Sequence, residues 1–213
     1  MKRLLDLHGL GEDIDSQLSL HLISLYFAWQ NPAIHVVDRQ IFELARAEAK
    51  QEGKMSIYYS DLLVNAMSVG TQVFVYTMLK LFDRCAVGAL QCGSRHPEHP
   101  GNLPHFFARR ARALLDYELD CPKVSTVQAL AILSVYESAT ASDTLGWLFS
   151  GTNAVDLLCV MGAKNPSVGM TMRLALDLGL HVSAKPYVQS GSMSQVEARV
   201  RRVTFWGTYA IDR

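Results

Sequence analysis

An all-α fold is predicted for this 213-residue chain by three features. Apolar residues recur every three or four positions in one stretch after another, capping residues stand at the starts of those stretches, and no convincing run alternates apolar with polar. The nearest candidate strand is "FVYTML", Phe74–Leu79. Short polar connectors between the stretches predict antiparallel neighbours, hence a multi-helix bundle or helical-hairpin array, with no sustained sequence repeat and with the last helix running to the chain end at Arg213.

Leu18, Leu22, Leu25 and Trp29 fall at helical spacing; Asp15 or Ser16 can cap the start, and Asn31-Pro32 stops the run. The next helix has Asp38 as its cap, Ile41, Leu44 and Ala45 as its apolar face, and Gly53 as its exit. Ser60 precedes "DLLVNAMSVG", where Leu62, Ala66 and Val69 form a stripe that Leu63 and Met67 widen. In "FFARRARALLDYEL", Phe107, Ala111, Leu114 and Leu115 share one face, which leaves Arg109, Arg110 and Arg112 to solvate the others. "STVQALAILSVYES" opens with Ser125 and Gln128 at capping-box spacing. Leu174, Ala175 and Leu178 precede Gly179, a left-handed exit, and the final helix has a second capping box, Ser194 and Glu197, followed by Val196, Val200 and Val203.

Composition narrows the function classes. The 49% hydrophobic and 19% charged mixture is that of a globular domain, and 20 basic residues offset 20 acidic ones. No overall positive field draws this chain to nucleic acid. Asp6 and His8 interrupt the only apolar N-terminal run, and no window approaches the roughly 18 apolar residues of a membrane span, so a soluble, intracellular chain without membrane contact is expected. Cys85, Cys92, Cys121 and Cys159 are too widely spaced for a zinc module or a disulfide scaffold.

The motifs of nucleophile elbows, phosphate loops, dinucleotide folds and zinc proteases are absent, so no catalytic residue, cofactor or metal is assigned, and the chain is expected not to be an enzyme. Cys92, His96 and His99 in "CGSRHPEHP" have non-standard ligand spacing, and Pro97 and Pro100 mark a plain loop. Asp61, Glu118 and Asp120 read as solvated surface carboxylates. Arg199, Arg201 and Arg202 stand beside Trp206 and Tyr209, a mixture enriched at interfaces, and these five form the candidate interaction surface. The plainer reading turns the aromatics inward and lets the arginines snorkel outward.

Six stretches, in order, resemble the fungal-specific regulatory domain, the middle homology region of zinc binuclear-cluster transcription factors. They are "LISLYFAWQNPAIHVVDRQIF", "YYSDLLVNAMSVG", "FFARRARALLDYELDCPKVSTVQALAILSVYE", "GWLFSG", "MRLALDLGLH" and "EARVRRVTFWGTYAIDR". In the last, Phe205-Trp206 stands where the family has a tryptophan doublet. The Asn-Pro segment is most similar to regulators of the nitrogen-assimilation type. The resemblance implies a nuclear, α-helical, non-catalytic segment that regulates transcription through a partner or a small inducer. Zinc and DNA binding are implied only for an N-terminal cysteine cluster that these residues lack. The alternative is a helical protein-interaction or small-molecule-sensing module unrelated to transcription.

Residues 1–213 thus read as a partial regulatory domain with two atypical segments, 71–91 and 152–168. Each begins with Thr after Gly, where relatives run on directly, and a GGT-ACG codon pair contains an intron donor. Retained introns translated in frame are favoured by the way the flanks rejoin; genuine insertions are the alternative. Either way, a segment breaking a packed helix pair is expected to lower stability.

Overall fold

A computed structural model describes residues 2–12, 14–53, 56–82, 103–139 and 170–212, and among them every regular element is helical. In chain order these are α1 (Lys2–Leu7), α2 (Ser16–Leu25) with a π-helical turn (Tyr26–Gln30), α3 (Arg39–Glu52), α4 (Asp61–Phe82), α5 (Leu103–Glu118), α6 (Val124–Ala139), α7 (Met170–Asp177), α8 (Lys185–Gln189) and α9 (Gln195–Ile211). The segment "FVYTML" lies inside α4 and is helical. Segment 152–168, the remainder of 71–91 beyond Phe82, Cys92, His96, His99 and the stretch "GWLFSG" lie outside the described residues.

The capping chemistry is largely as expected. Asp15 accepts from the Gln17 N–H, Asp38 from Ile41, Ser60 from Leu63 and Ser194 from Glu197. Gly53 and Gly179 leave their helices at φ 64° and 65°, the left-handed conformation that a Cβ disfavours.

The central element is α4, which packs against α2, α5 and α6. Its residues Leu62, Leu63, Ala66, Met67 and Val69 are fully buried; the main core joins the first four to Phe27, Phe42, Leu114, Leu130 and Leu133, and Val69 packs with Leu22, Phe107 and Tyr136. The helix does not stop at Gly70. Thr71 is buried and its hydroxyl donates to the Leu22 and Met67 carbonyls at 3.3 and 2.8 Å, and the backbone stays helical to Phe82, within the first atypical segment. A second, smaller core joins Ile41, Val124, Val127, Ala175, Leu180 and Val200, and so couples α3 and α6 to α7 and α9.

Several apolar assignments shift. Trp29 is 60% exposed although it continues the Leu18–Leu22–Leu25 spacing. The wide π-helical turn, closed by the Asn31 N–H on the Tyr26 carbonyl, changes the phase so that Tyr26, Phe27 and Gln30 point inward instead. On α3 the buried side is Ile41, Phe42 and Ala45, with Leu44 exposed. On α9 Val196 is exposed, and small polar residues, Thr204 and Thr208, extend the buried stripe from Val200.

At α6 the expected capping box does not form. The helix starts two residues earlier, at Val124, and Thr126 closes the turn by accepting from the Lys123 N–H at 3.1 Å. That hydroxyl also donates to Glu118 Oε2 at 2.9 Å. Glu118 is therefore buried rather than solvated, because the last turn of α5 packs on the first turn of α6. Burial pushes its carboxyl above the ordinary range against the opposing pull of the Thr126 and Ser60 hydroxyls and Lys123, and Asp61 adds to the rise. A raised folded pKa means that the folded state holds the proton more tightly than the unfolded chain. Stability is then expected to rise as pH falls through the raised value, levelling below the ordinary glutamate value of about 4.3, by at most about 1.4 kcal/mol per pH unit. Glu118→Gln is expected to remove this gain; an unchanged pH profile in urea melts would show that Glu118 titrates normally.

Candidate interaction surface

The candidate residues all lie on α9, and what holds α9 decides which of them face solvent. The chain before α3 is shaped by Asn31, whose Oδ1 accepts from the Tyr26 hydroxyl and from the Val37 N–H, both at 3.3 Å. This fixes an irregular link, residues 35–37, against which α9 lies. The buried Val36 carbonyl, with no helical partner of its own, accepts from Gln128 Nε2 at 3.1 Å and from the Thr204 hydroxyl at 3.4 Å. Gln128 Nε2 also donates to Thr204 Oγ1 at 2.9 Å. One turn on, Gly207 brings the α9 backbone so close that a Cβ there would overlap the His35 carbonyl oxygen and stand 2.9 Å from a Val36 methyl.

Two of the three arginines serve this docking. Arg199 Nη2 meets Asp38 Oδ2 at 2.6 Å, tying α9 to the cap of α3. Arg201 Nη2 donates to the Leu178 and Gly179 carbonyls at 3.1 and 2.8 Å, a cation on the free carbonyls that end α7. Arg202 is exposed, and no described residue pairs with it.

Trp206 is 58% exposed. It is braced edge-on by Phe205, with ring centroids 5.5 Å apart, and by Tyr209 at 5.6 Å, while Phe205 and Tyr209 stack at 6.4 Å. Phe205 roots this trio in the smaller core, and the His181 ring centroid lies 6.4 Å from its own. The inward-aromatic, outward-arginine reading is thus inverted at two positions: Trp206 points out and Arg201 is tucked in. Arg202, Trp206 and Tyr209 follow one another at helical spacing, so α9 presents a short cationic and aromatic stripe about 10 Å long.

Elsewhere the chemistry is structural. Arg110 Nη1 donates to the Leu10 and Glu12 carbonyls, fastening the N-terminal segment to α5. Asp61 and Asp120 are exposed on separate elements. Among the described residues no group of His, Cys, Asp and Glu could hold a metal ion, and no helix is long and apolar enough to cross a membrane. The docking residues Asn31, Gln128, Thr204 and Gly207 carried two readable signs: a glutamine inside an otherwise apolar helix and a glycine in mid-helix.

The family model of the fungal specific transcription factor domain matches residues 23–213. The chain is 29% identical, over 92% of its length, to the nitrogen assimilation transcription factor nit-4 of Neurospora crassa, and 31% identical, over 93%, to nitrogen assimilation transcription factor nirA of Emericella nidulans. It is 24% identical over its whole length to the TY1 enhancer activator of Saccharomyces cerevisiae. The chain spans 15% and 18% of the lengths of the first two relatives. No solved structure matches it.

Proposed function

The chain belongs to the fungal specific transcription factor domain family, a regulatory segment of fungal transcription factors, and from that membership we propose that it regulates by protein contact through the outward face of α9. The observation carrying this reading is the braced and exposed Trp206 beside the exposed Arg202, which no described residue pairs. A large aromatic held rigid in water loses little conformational entropy on binding and gains much by burial, which is why Trp, Tyr and Arg dominate contact hot spots. The segment works in the nucleus and without catalysis or a cofactor of its own. On this reading DNA and zinc contacts fall to another region of a longer factor, and the named relatives support a nitrogen-assimilation role.

The test places the chain between an unrelated DNA-binding domain and an unrelated activation segment on a reporter. Trp206→Ala combined with Tyr209→Ala is expected to change output about fivefold or more at equal protein level, the scale of ordinary regulatory coupling. Unchanged output would place the regulatory contact elsewhere.

A further inference from the structure

We propose that the stripe Arg202–Trp206–Tyr209 docks an acidic amphipathic helix of a partner protein, a reading that rests on the contact role proposed for this face. Two neighbouring arginines are already engaged, Arg199 by the Asp38 carboxylate and Arg201 by hydrogen bonds to the carbonyls ending α7. Arg202 is the one of the three that no described residue pairs, and it is exposed one turn from Trp206. Covering Trp206 desolvates Arg202 as well, and a buried cation needs a carboxylate opposite it. The occupant therefore carries Asp or Glu with apolar side chains one helical turn away, matching the cation and the rings in order.

Other occupants fit less well. A nucleic-acid backbone calls for several free cations in a row, and this stripe offers one. A second copy would supply the wrong charge: the outward residues Gln195, Arg199, Arg202, Trp206 and Tyr209 include no carboxylate, so an isologous contact would bury arginine without a partner.

The experiment titrates the 213-residue chain, by calorimetry, with three probes. They are an amphipathic helical peptide with Glu spaced one turn from Leu and Phe, the same peptide with Lys for Glu, and phosphatidylserine vesicles. The acidic peptide is expected to bind and to weaken with salt. Trp206→Ala should weaken it about thirtyfold and Arg202→Glu about tenfold, and Arg202→Glu should gain affinity for the Lys peptide. Arg202→Lys, which keeps the charge, should stay within a few-fold of the native chain, and circular dichroism should show all three variants folded. Equal binding of both peptides, binding of neither, indifference to Arg202→Glu, or binding of vesicles alone would overturn the acidic partner. Peptide binding that falls with Trp206→Ala yet ignores charge would overturn it while leaving the contact face standing; binding that ignores Trp206→Ala would sink both.

Discussion

Gly207→Val is expected to undock α9 and to lower stability by about 3 kcal/mol, at the upper end of overpacking costs. The reason is local. A Cβ at position 207 meets backbone, the His35 carbonyl, rather than the end of a flexible side chain, so relief requires that the whole helix move away from residues 35–37. That movement also strips the buried Val36 carbonyl of Thr204 and loosens Gln128, leaving polar groups unpaired in the interior. Thermal melts would show the loss, and hydrogen exchange would show α9 amides opening ahead of those of α4. A variant that melts like the native chain would contradict the close approach.

Phe42→Ala is expected to cost about 3–5 kcal/mol. Phe42 is 1% exposed and its ring lies 5.7 Å from Phe27 and 5.8 Å from Tyr59, so it joins the π-helical turn, α3 and the connector leading to α4. Its removal opens a cavity where three segments meet. With a typical margin of about 5–15 kcal/mol, the variant loses a large share of its stability and unfolds at much lower urea. Phe42→Leu, which keeps most of the volume, is expected to cost less than about 1.5 kcal/mol. Equal losses from the two variants would mean that cavity volume is not the cause.

What could be read in advance follows from how local each feature is. Helix starts at Asp15, Asp38, Ser60 and Ser194 are set within one turn, and they formed as expected. The exit glycines, Gly53 and Gly179, are equally local. The exposure of Trp29 was not legible, because a single π-helical turn rotates everything after it and leaves the spacing in the sequence untouched. Gln128 reads from the sequence as half of a capping box because its partners, Val36 and Thr204, are 92 and 76 residues away. That Arg199, Arg201, Arg202, Trp206 and Tyr209 share one helix was legible, and which of them face solvent was not. Arg199, Arg201 and Arg202 differ only in what lies opposite them, and Asp38 and the end of α7 become their neighbours only in the folded chain.

The central claim is that α9 has an inner face that builds the fold and an outer face that acts on a partner. The most direct measurement compares Trp206→Ala with Gly207→Val, adjacent residues of which the first is exposed and the second buried, by thermal melting together with reporter output. The account predicts a native melting curve and altered output for Trp206→Ala, and a lowered melting temperature for Gly207→Val. A Trp206→Ala chain that melts as low as Gly207→Val, or one that is stable and regulates normally, would contradict it.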